Sequence, residues 1–216
     1  MSGYKECICS AEEAIQKVKS GDRIVFSHAC GEPRVLPATL MKRVDELTGV
    51  QIVHMVPMGE ALYCRPEYAG SFRHVALFSG APTREAIWEN RADYVPYVFS
   101  EIPFLFDSVL PVDVAMVTVS PPDKNGFCSL GVSVDYTKKA VESAKIVIAE
   151  INKAMPRTHG DSFVHVSEID CFVEVDIPIA ELKATELTDV EINIGKYVTE
   201  LIEDGSCLQL GIGGIP

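Results

Sequence analysis

Arg23-Ile24-Val25-Phe26-Ser27 opens a pattern that continues through Leu36, Leu40, Val44 and Leu47 and closes on Val50-Gln51-Ile52-Val53-His54-Met55-Val56. A short apolar run, a 3.6-residue period and a second apolar run spell strand, helix, strand. Neither run alternates polar with apolar residues as a one-sided sheet would, so both strands are expected to be covered on two faces, the condition of a parallel sheet flanked by helices. Upstream, Ser10-Ala11-Glu12-Glu13 is a capping box for a short helix on Ala11, Ala14, Ile15 and Val18 that ends by Gly21. Downstream, strands are expected over 72–78, 94–99, 112–119 and 145–151, with helices beginning near Pro82 and over 135–143. The fold class that follows is α/β, a doubly wound, mostly parallel sheet.

The 216 residues carry a net charge of −12. A surface that acidic repels nucleic-acid backbones and anionic lipid, so neither is an expected partner. No stretch approaches 18 apolar residues, and the polar N-terminus lacks the basic cap and apolar core of a signal peptide. The seven cysteines, Cys7, Cys9, Cys30, Cys64, Cys128, Cys171 and Cys207, are scattered, several inside apolar runs. They read as buried free thiols of a soluble cytoplasmic protein. No CxxC pair or His/Cys/Asp spacing suggests a metal.

In open α/β sheets ligands bind outside the C-terminal ends of the strands. Loops 31–34, 120–126 and 152–162 are the candidates there, each against the plainer reading of a solvated connection. Asn125-Gly126 within the second is a hairpin-type dipeptide. Gly31, Glu32, Asn125, Arg157 and His159 are the candidate substrate-rim residues. Glu32 is expected at the lip of a pocket or in solvent; Arg157 and His159 have the donors to hold a carboxylate. His28 would serve as a base only with an orienting carboxylate beside it. His54 and His74, inside apolar strands, are expected in the core.

The chain closes on Gly211-Ile212-Gly213-Gly214-Ile215-Pro216. It follows an apolar run, 206–210, read as a short strand, and three glycines in four positions let backbone N–H groups face a ligand's oxygens. A packing turn is the alternative. Thr188-Asp189-Val190-Glu191 is a second capping box, for a helix expected to turn Val190, Ile194, Val198, Leu201 and Ile202 inward. Helix, glycine turn, strand and glycine-proline repeat the plan of the N-terminus, so residues 1–187 are read as one domain and 188–216 as the start of a second, truncated one.

Three stretches, Ser120-Pro-Pro-Asp-Lys-Asn-Gly-Phe-Cys-Ser-Leu-Gly-Val-Ser-Val134, Ala149-Glu-Ile-Asn-Lys-Ala-Met-Pro-Arg-Thr-His-Gly-Asp161 and Leu210-Gly-Ile-Gly-Gly-Ile-Pro216, resemble the acetyl-CoA hydrolase/transferase family. The resemblance implies the CoA-transferase type of sheet, two related domains with acyl-CoA between them, and assembly as a homodimer or larger. It implies coenzyme A as a substrate, a short carboxylate as its partner, and no tightly bound cofactor. In the family a glutamate attacks the thioester and is carried as glutamyl-CoA. That glutamate lies some twenty residues beyond the glycine loop, so it is expected beyond Pro216, and this chain alone is expected to be inactive. Carried over, Gly211, Ile212, Gly213, Gly214 and Ile215 line the CoA thioester, with the Ile212 N–H as oxyanion donor.

Overall fold

Seven parallel strands make the central sheet: β1 (Arg23–Phe26), β2 (Val50–His54), β3 (Phe72–Ala76), β4 (Ala92–Tyr94), β5 (Val114–Val119), β7 (Ile146–Asn152) and β9 (Cys171–Val175). The computed structural model describes residues 3–183, 186–211, 213 and 215. Strand order is β4-β3-β2-β1-β5-β7-β9. The chain therefore winds outward from β1 to β4, returns to the other side of β1 and winds outward again. The reversal puts the topological switch point between β1 and β5, where open α/β sheets hold ligands.

The inner strands form because their residues are buried on both faces, as all six side chains of β5 are, whereas the edge strand β4 is exposed at Asp93 and Tyr94. On one face lie α1 (Ala11–Ile15) and α2 (Leu36–Met41), packing Ile15, Leu40 and Met41 against Ile24, Ile52 and Phe72. Ser10 and Glu13 close the expected capping box on α1. The other face is covered near its middle by α4 (Ile102–Leu105) and α5 (Asp135–Ser143). Further along that face sits a two-stranded antiparallel sheet, β6 (Phe127–Ser129) with β8 (Phe163–His165). A short α3 (Arg84–Trp88) precedes the edge strand β4.

Several expectations are corrected. The apolar run at 94–99 is not a strand: β4 ends at Tyr94, because Pro96 has no N–H for a ladder, and Phe99–Glu101 form a 3-10 turn. Asn125-Gly126 does close a local turn, as its chemistry suggests: the Gly126 N–H donates to the Asp123 carbonyl at 3.0 Å, and the Asp123 and Ser120 N–H groups donate to the Phe127 and Ser129 carbonyls; what differs is that β6, which follows Gly126 at φ +87°, pairs with β8 in the second sheet. Cys9 and Cys171 are disulfide-bonded rather than free thiols, with Cα atoms 6.6 Å apart. The Cys9 N–H also donates to the Phe172 carbonyl, so the N-terminal segment lies along the outer edge of β9. Cys64 and Cys128 are buried thiols, each pushed up to about 12 by burial.

The chain divides into two compact units, Met1–Ala180 and Glu181–Pro216. In the second, α6 (Asp189–Thr199) carries the expected Thr188–Glu191 capping box. Its apolar face is not turned into a core: Val190, Val198, Leu201 and Ile202 are exposed. Residues 206–210 form no strand, since a strand needs a hydrogen-bonded neighbour and the described residues of this unit offer none. Among the described residues no helix is long and apolar enough to cross a membrane.

Candidate functional site

Because the sheet is parallel, the loops that follow β1, β2, β5 and β7 all leave by its C-terminal edge, and the loops after β1 and β5 flank the switch point. The β1 loop is held from several sides. Ser27 Oγ donates to the Gly31 carbonyl at 2.6 Å and accepts from the Thr118 N–H of β5. The His28 N–H donates to Ser133 Oγ at 2.8 Å. Gly31 must be glycine here, since a Cβ would lie 2.3 Å from Ser133 Cβ. Ala29 and Ala61, in the β1 and β2 loops, both take left-handed backbone, at φ +49° and +44°. Alanine does so at a cost of about 1–2 kcal/mol, and strain of this kind concentrates where function over-determines the backbone.

Two buried carboxylates lock these loops together. Glu150, in the middle of β7 and fully buried, accepts the N–H groups of Arg34, Val35 and Leu36 at 2.7–2.9 Å. Those are the unpaired amides at the start of α2. Burial pushes the Glu150 carboxyl above its ordinary range, while the three N–H donors and Arg34 pull the other way. Glu32 accepts from the Met58 and Gly59 amides at 2.7 and 2.8 Å, tying the β1 loop to the β2 loop. It is 6% exposed, not solvated, because its carboxylate replaces water as the partner of those two amides; burial again raises it.

His28, at the end of β1, has the orienting carboxylate that a base would need. Its Nδ1 lies 3.1 Å from Asp135 Oδ2, and its ring packs against Phe99 and Tyr136. Nε2 is buried without a hydrogen-bond partner among the described residues. His54 and His74 are core residues as expected. His54 Nδ1 meets the Tyr63 hydroxyl at 2.9 Å, and His74 Nδ1 faces the Ile52 carbonyl at 3.0 Å. Burial holds both imidazoles below the ordinary histidine range, His74 at about 4.

Of the other rim candidates, Arg157 ties the β7 loop to the β5 loop. Arg157 donates to Asp123 Oδ2 and the Phe127 carbonyl, and its guanidinium lies over the Phe163 ring. Asp123 also accepts from the Asn125 and Phe127 amides, which hold it below the usual carboxylate range. Asn125 and His159 are exposed. In the second unit Gly211, Gly213 and Ile215 are exposed, and Gly213 sits at φ +151°. Ile212, Gly214 and Pro216, and with them the expected oxyanion donor, lie outside the described residues. Among the described residues no cluster of His, Cys, Asp or Glu is arranged to hold a metal.

Sequence reasoning passed over Glu150 and Asp135. Glu150 had a visible signal, being the one charge inside the apolar run 146–151. Asp135 had none, since nothing local links a helix start to a histidine 107 residues upstream.

The chain is 55% identical, over 99% of its length, to 4-hydroxybutyrate coenzyme A transferase of Clostridium kluyveri, and covers 50% of that protein. Its structure superposes on RipA from Yersinia pestis with a TM-score of 0.93 at 29% identity, covering 99% of this chain and 52% of the other. The 4-hydroxybutyrate CoA-transferase of Porphyromonas gingivalis gives a TM-score of 0.81 at 37% identity, with 99% and 50% covered. The chain thus spans about half the length of the relatives it matches. Residues 1–182 match the acetyl-CoA hydrolase/transferase N-terminal domain, and the chain belongs to that family.

Proposed function

We propose that this chain is the N-terminal part of an acyl-CoA:carboxylate CoA-transferase, which moves coenzyme A between a short acyl-CoA such as acetyl-CoA and 4-hydroxybutyrate, butyrate or acetate. The observation that carries the reading is 55% identity to a 4-hydroxybutyrate coenzyme A transferase along 99% of the chain. In the proposed reaction a glutamate carboxylate, supplied from beyond this chain, attacks the acyl-CoA carbonyl and expels the CoA thiolate. The thiolate returns to the acyl-glutamyl anhydride, giving glutamyl-CoA and releasing the free acid. An incoming carboxylate then reverses the sequence and leaves as its own CoA ester. This is covalent catalysis in two half-reactions.

Within that scheme residues 1–187 form one wall of the acyl-CoA cleft and 188–216 begin the second domain. Gly211 to Ile215 lie against the thioester, and the Ile212 N–H meets the developing oxyanion, a donor worth about 2.7–4 kcal/mol in acyl transfer. Gly31, Glu32, Asn125, Arg157 and His159 belong to the rim. Glu32 and Arg157 act there through the loops they fasten, Glu32 by Oε2 on the Met58 and Gly59 amides and Arg157 by its bond to Asp123. The reading carries with it a cytoplasmic homodimer without a tightly bound cofactor.

Hydrolysis of the acyl-CoA by water is the second reading, and one observation favours it: at the switch point a carboxylate, Asp135, stands 3.1 Å from His28 Nδ1, the arrangement that orients a general base. Kinetics separate the two. For the full-length gene product, varying acetyl-CoA at several fixed 4-hydroxybutyrate concentrations should give parallel double-reciprocal lines, with free CoA forming far more slowly than 4-hydroxybutyryl-CoA. Converging lines, or CoA release at the same rate without the acid, would reject the transferase reading.

A further inference from the structure

Eight arginines occur in the chain. Seven donate to a carboxylate, an amide oxygen or a carbonyl: Arg23, Arg43, Arg65, Arg73, Arg84, Arg91 and Arg157. Arg34 alone has a guanidinium with no hydrogen-bond acceptor among the described residues. The exception sits in the β1 loop, at the C-terminal edge of the sheet beside the switch point, in a chain whose net charge is −12.

Its position is rigid although its head group is exposed. The Arg34 N–H is bound by Glu150, the next two amides by the same carboxylate, and the facing β2 loop is fastened by Glu32. Glu150 spends both carboxylate oxygens on backbone donors, and Glu32 spends Oε2. They act on Arg34 through space without pairing with it. Between the two loops lies a cavity of about 190 Å³ lined by Pro33, Arg34, Pro37, Gly59, Leu62 and Tyr63 among others. Its walls are apolar or backbone apart from the side chains of Arg34, Glu32 and Glu60 and the Tyr63 hydroxyl; Glu60 is paired with Arg65 and the hydroxyl with His54. A planar fork of donors beside a small pocket whose apolar lining is Pro33, Pro37, Ala38, Ala61, Leu62 and Tyr63 matches a short-chain carboxylic acid, carboxylate on the guanidinium and alkyl chain against that lining. The pocket is smaller than the 300 Å³ or so at which ligand clefts for larger molecules begin, which disfavours the nucleotide end of CoA.

We propose that Arg34 binds the carboxylate of the short-chain acid that exchanges CoA, and that the cavity between the β1 and β2 loops takes its alkyl chain. The proposal rests on the transferase reading and adds a residue that recognises the acid. Arg34 is assigned to binding, not to the chemical step.

The test compares wild-type, Arg34→Gln and Arg34→Lys forms of the full-length gene product, with acetyl-CoA as donor and 4-hydroxybutyrate or butyrate as acceptor. Arg34→Gln should raise KM for the acid at least tenfold, change kcat much less, and leave KM for acetyl-CoA within twofold. Arg34→Lys, which keeps the charge but loses the fork, should recover part of the loss. Unchanged KM for both substrates in an active variant would overturn the proposal. So would a rise confined to acetyl-CoA, which would assign Arg34 to a CoA phosphate. A wild-type enzyme with no transfer activity would instead reject the transferase reading itself, and the proposal with it.

Discussion

His74 and Glu150 are buried ionisable residues of the same sheet whose protonation pulls stability in opposite directions. His74 is held at about 4, against 6.5 for an unperturbed imidazole, because burial disfavours its cation. Between those values the unfolded chain binds a proton that the folded chain refuses. Its contribution to stability is whole above pH 6.5 and drains away as pH falls toward 4. His54 adds to this in the same direction. Glu32 and Glu150 are raised by burial, so the fold holds their protons more firmly than the unfolded chain does, and acid relieves part of their cost. The histidine contribution is isolated by His74→Asn, which keeps a side-chain N–H for the Ile52 carbonyl and removes the titration. Urea unfolding across pH 4 to 6.5 should show a slope of stability against pH smaller by up to one proton's worth, about 1.4 kcal/mol per pH unit. An unchanged slope, whatever the absolute stability, would contradict a buried neutral His74.

At the scale of elements, the loop after β1 is shaped by what it approaches. The Gly31 position has no room for a methyl group because Ser133, in the turn before α5, stands 2.3 Å from where it would be. Gly31→Ala should cost about 1–3 kcal/mol as an overpacking change. In a Ser133→Gly background, where the opposing Cβ is gone, that cost should largely vanish. A double-mutant cycle by thermal or chemical unfolding reads this directly. Equal costs in both backgrounds would show that the loop does not rest on that contact.

The same loop marks how far the sequence could be read. The β1–α2–β2 unit was legible because its strands are mostly apolar and one apolar period runs between them, although α2 ends at Met41 and the expected continuation to Leu47 is turns, and α5 because Tyr136 and Ala140 fall on one face. Tyr94 to Phe99 misled, since a β-rich composition there is overridden by Pro96 and the edge of the sheet. Glu32 was singled out as a rim candidate but was not readable as a buried clamp, because its partners, the Met58 and Gly59 amides, are 26 and 27 residues away. The Cys9–Cys171 bond was hidden for the same reason, at a separation of 162 residues. Local pattern reports period and turn chemistry; it carries no record of which loops a parallel sheet gathers at one edge.

For the molecule as a whole, the two units differ in kind. Residues of the first bury three apolar clusters around one sheet. In the second, Leu182, Val190, Tyr197, Leu201, Leu208 and Leu210 are all more than half exposed. Exposed apolar side chains in that number, on α6 and the segments beside it, are ordinarily covered. In the proposed account the remainder of a second CoA-transferase domain covers it and supplies the glutamate. The proposal thus puts the chemistry in a polypeptide longer than this chain, and the relatives compared are each about twice its length.

The most direct measurement is CoA transfer from acetyl-CoA to 4-hydroxybutyrate, followed by mass spectrometry of the CoA esters, with the purified 216-residue chain and with the full-length gene product side by side. The account predicts 4-hydroxybutyryl-CoA from the full-length protein and none above background from the 216-residue chain. Turnover by the 216-residue chain alone would contradict the missing nucleophile, and no turnover by the full-length protein with any short acid would contradict the transferase assignment.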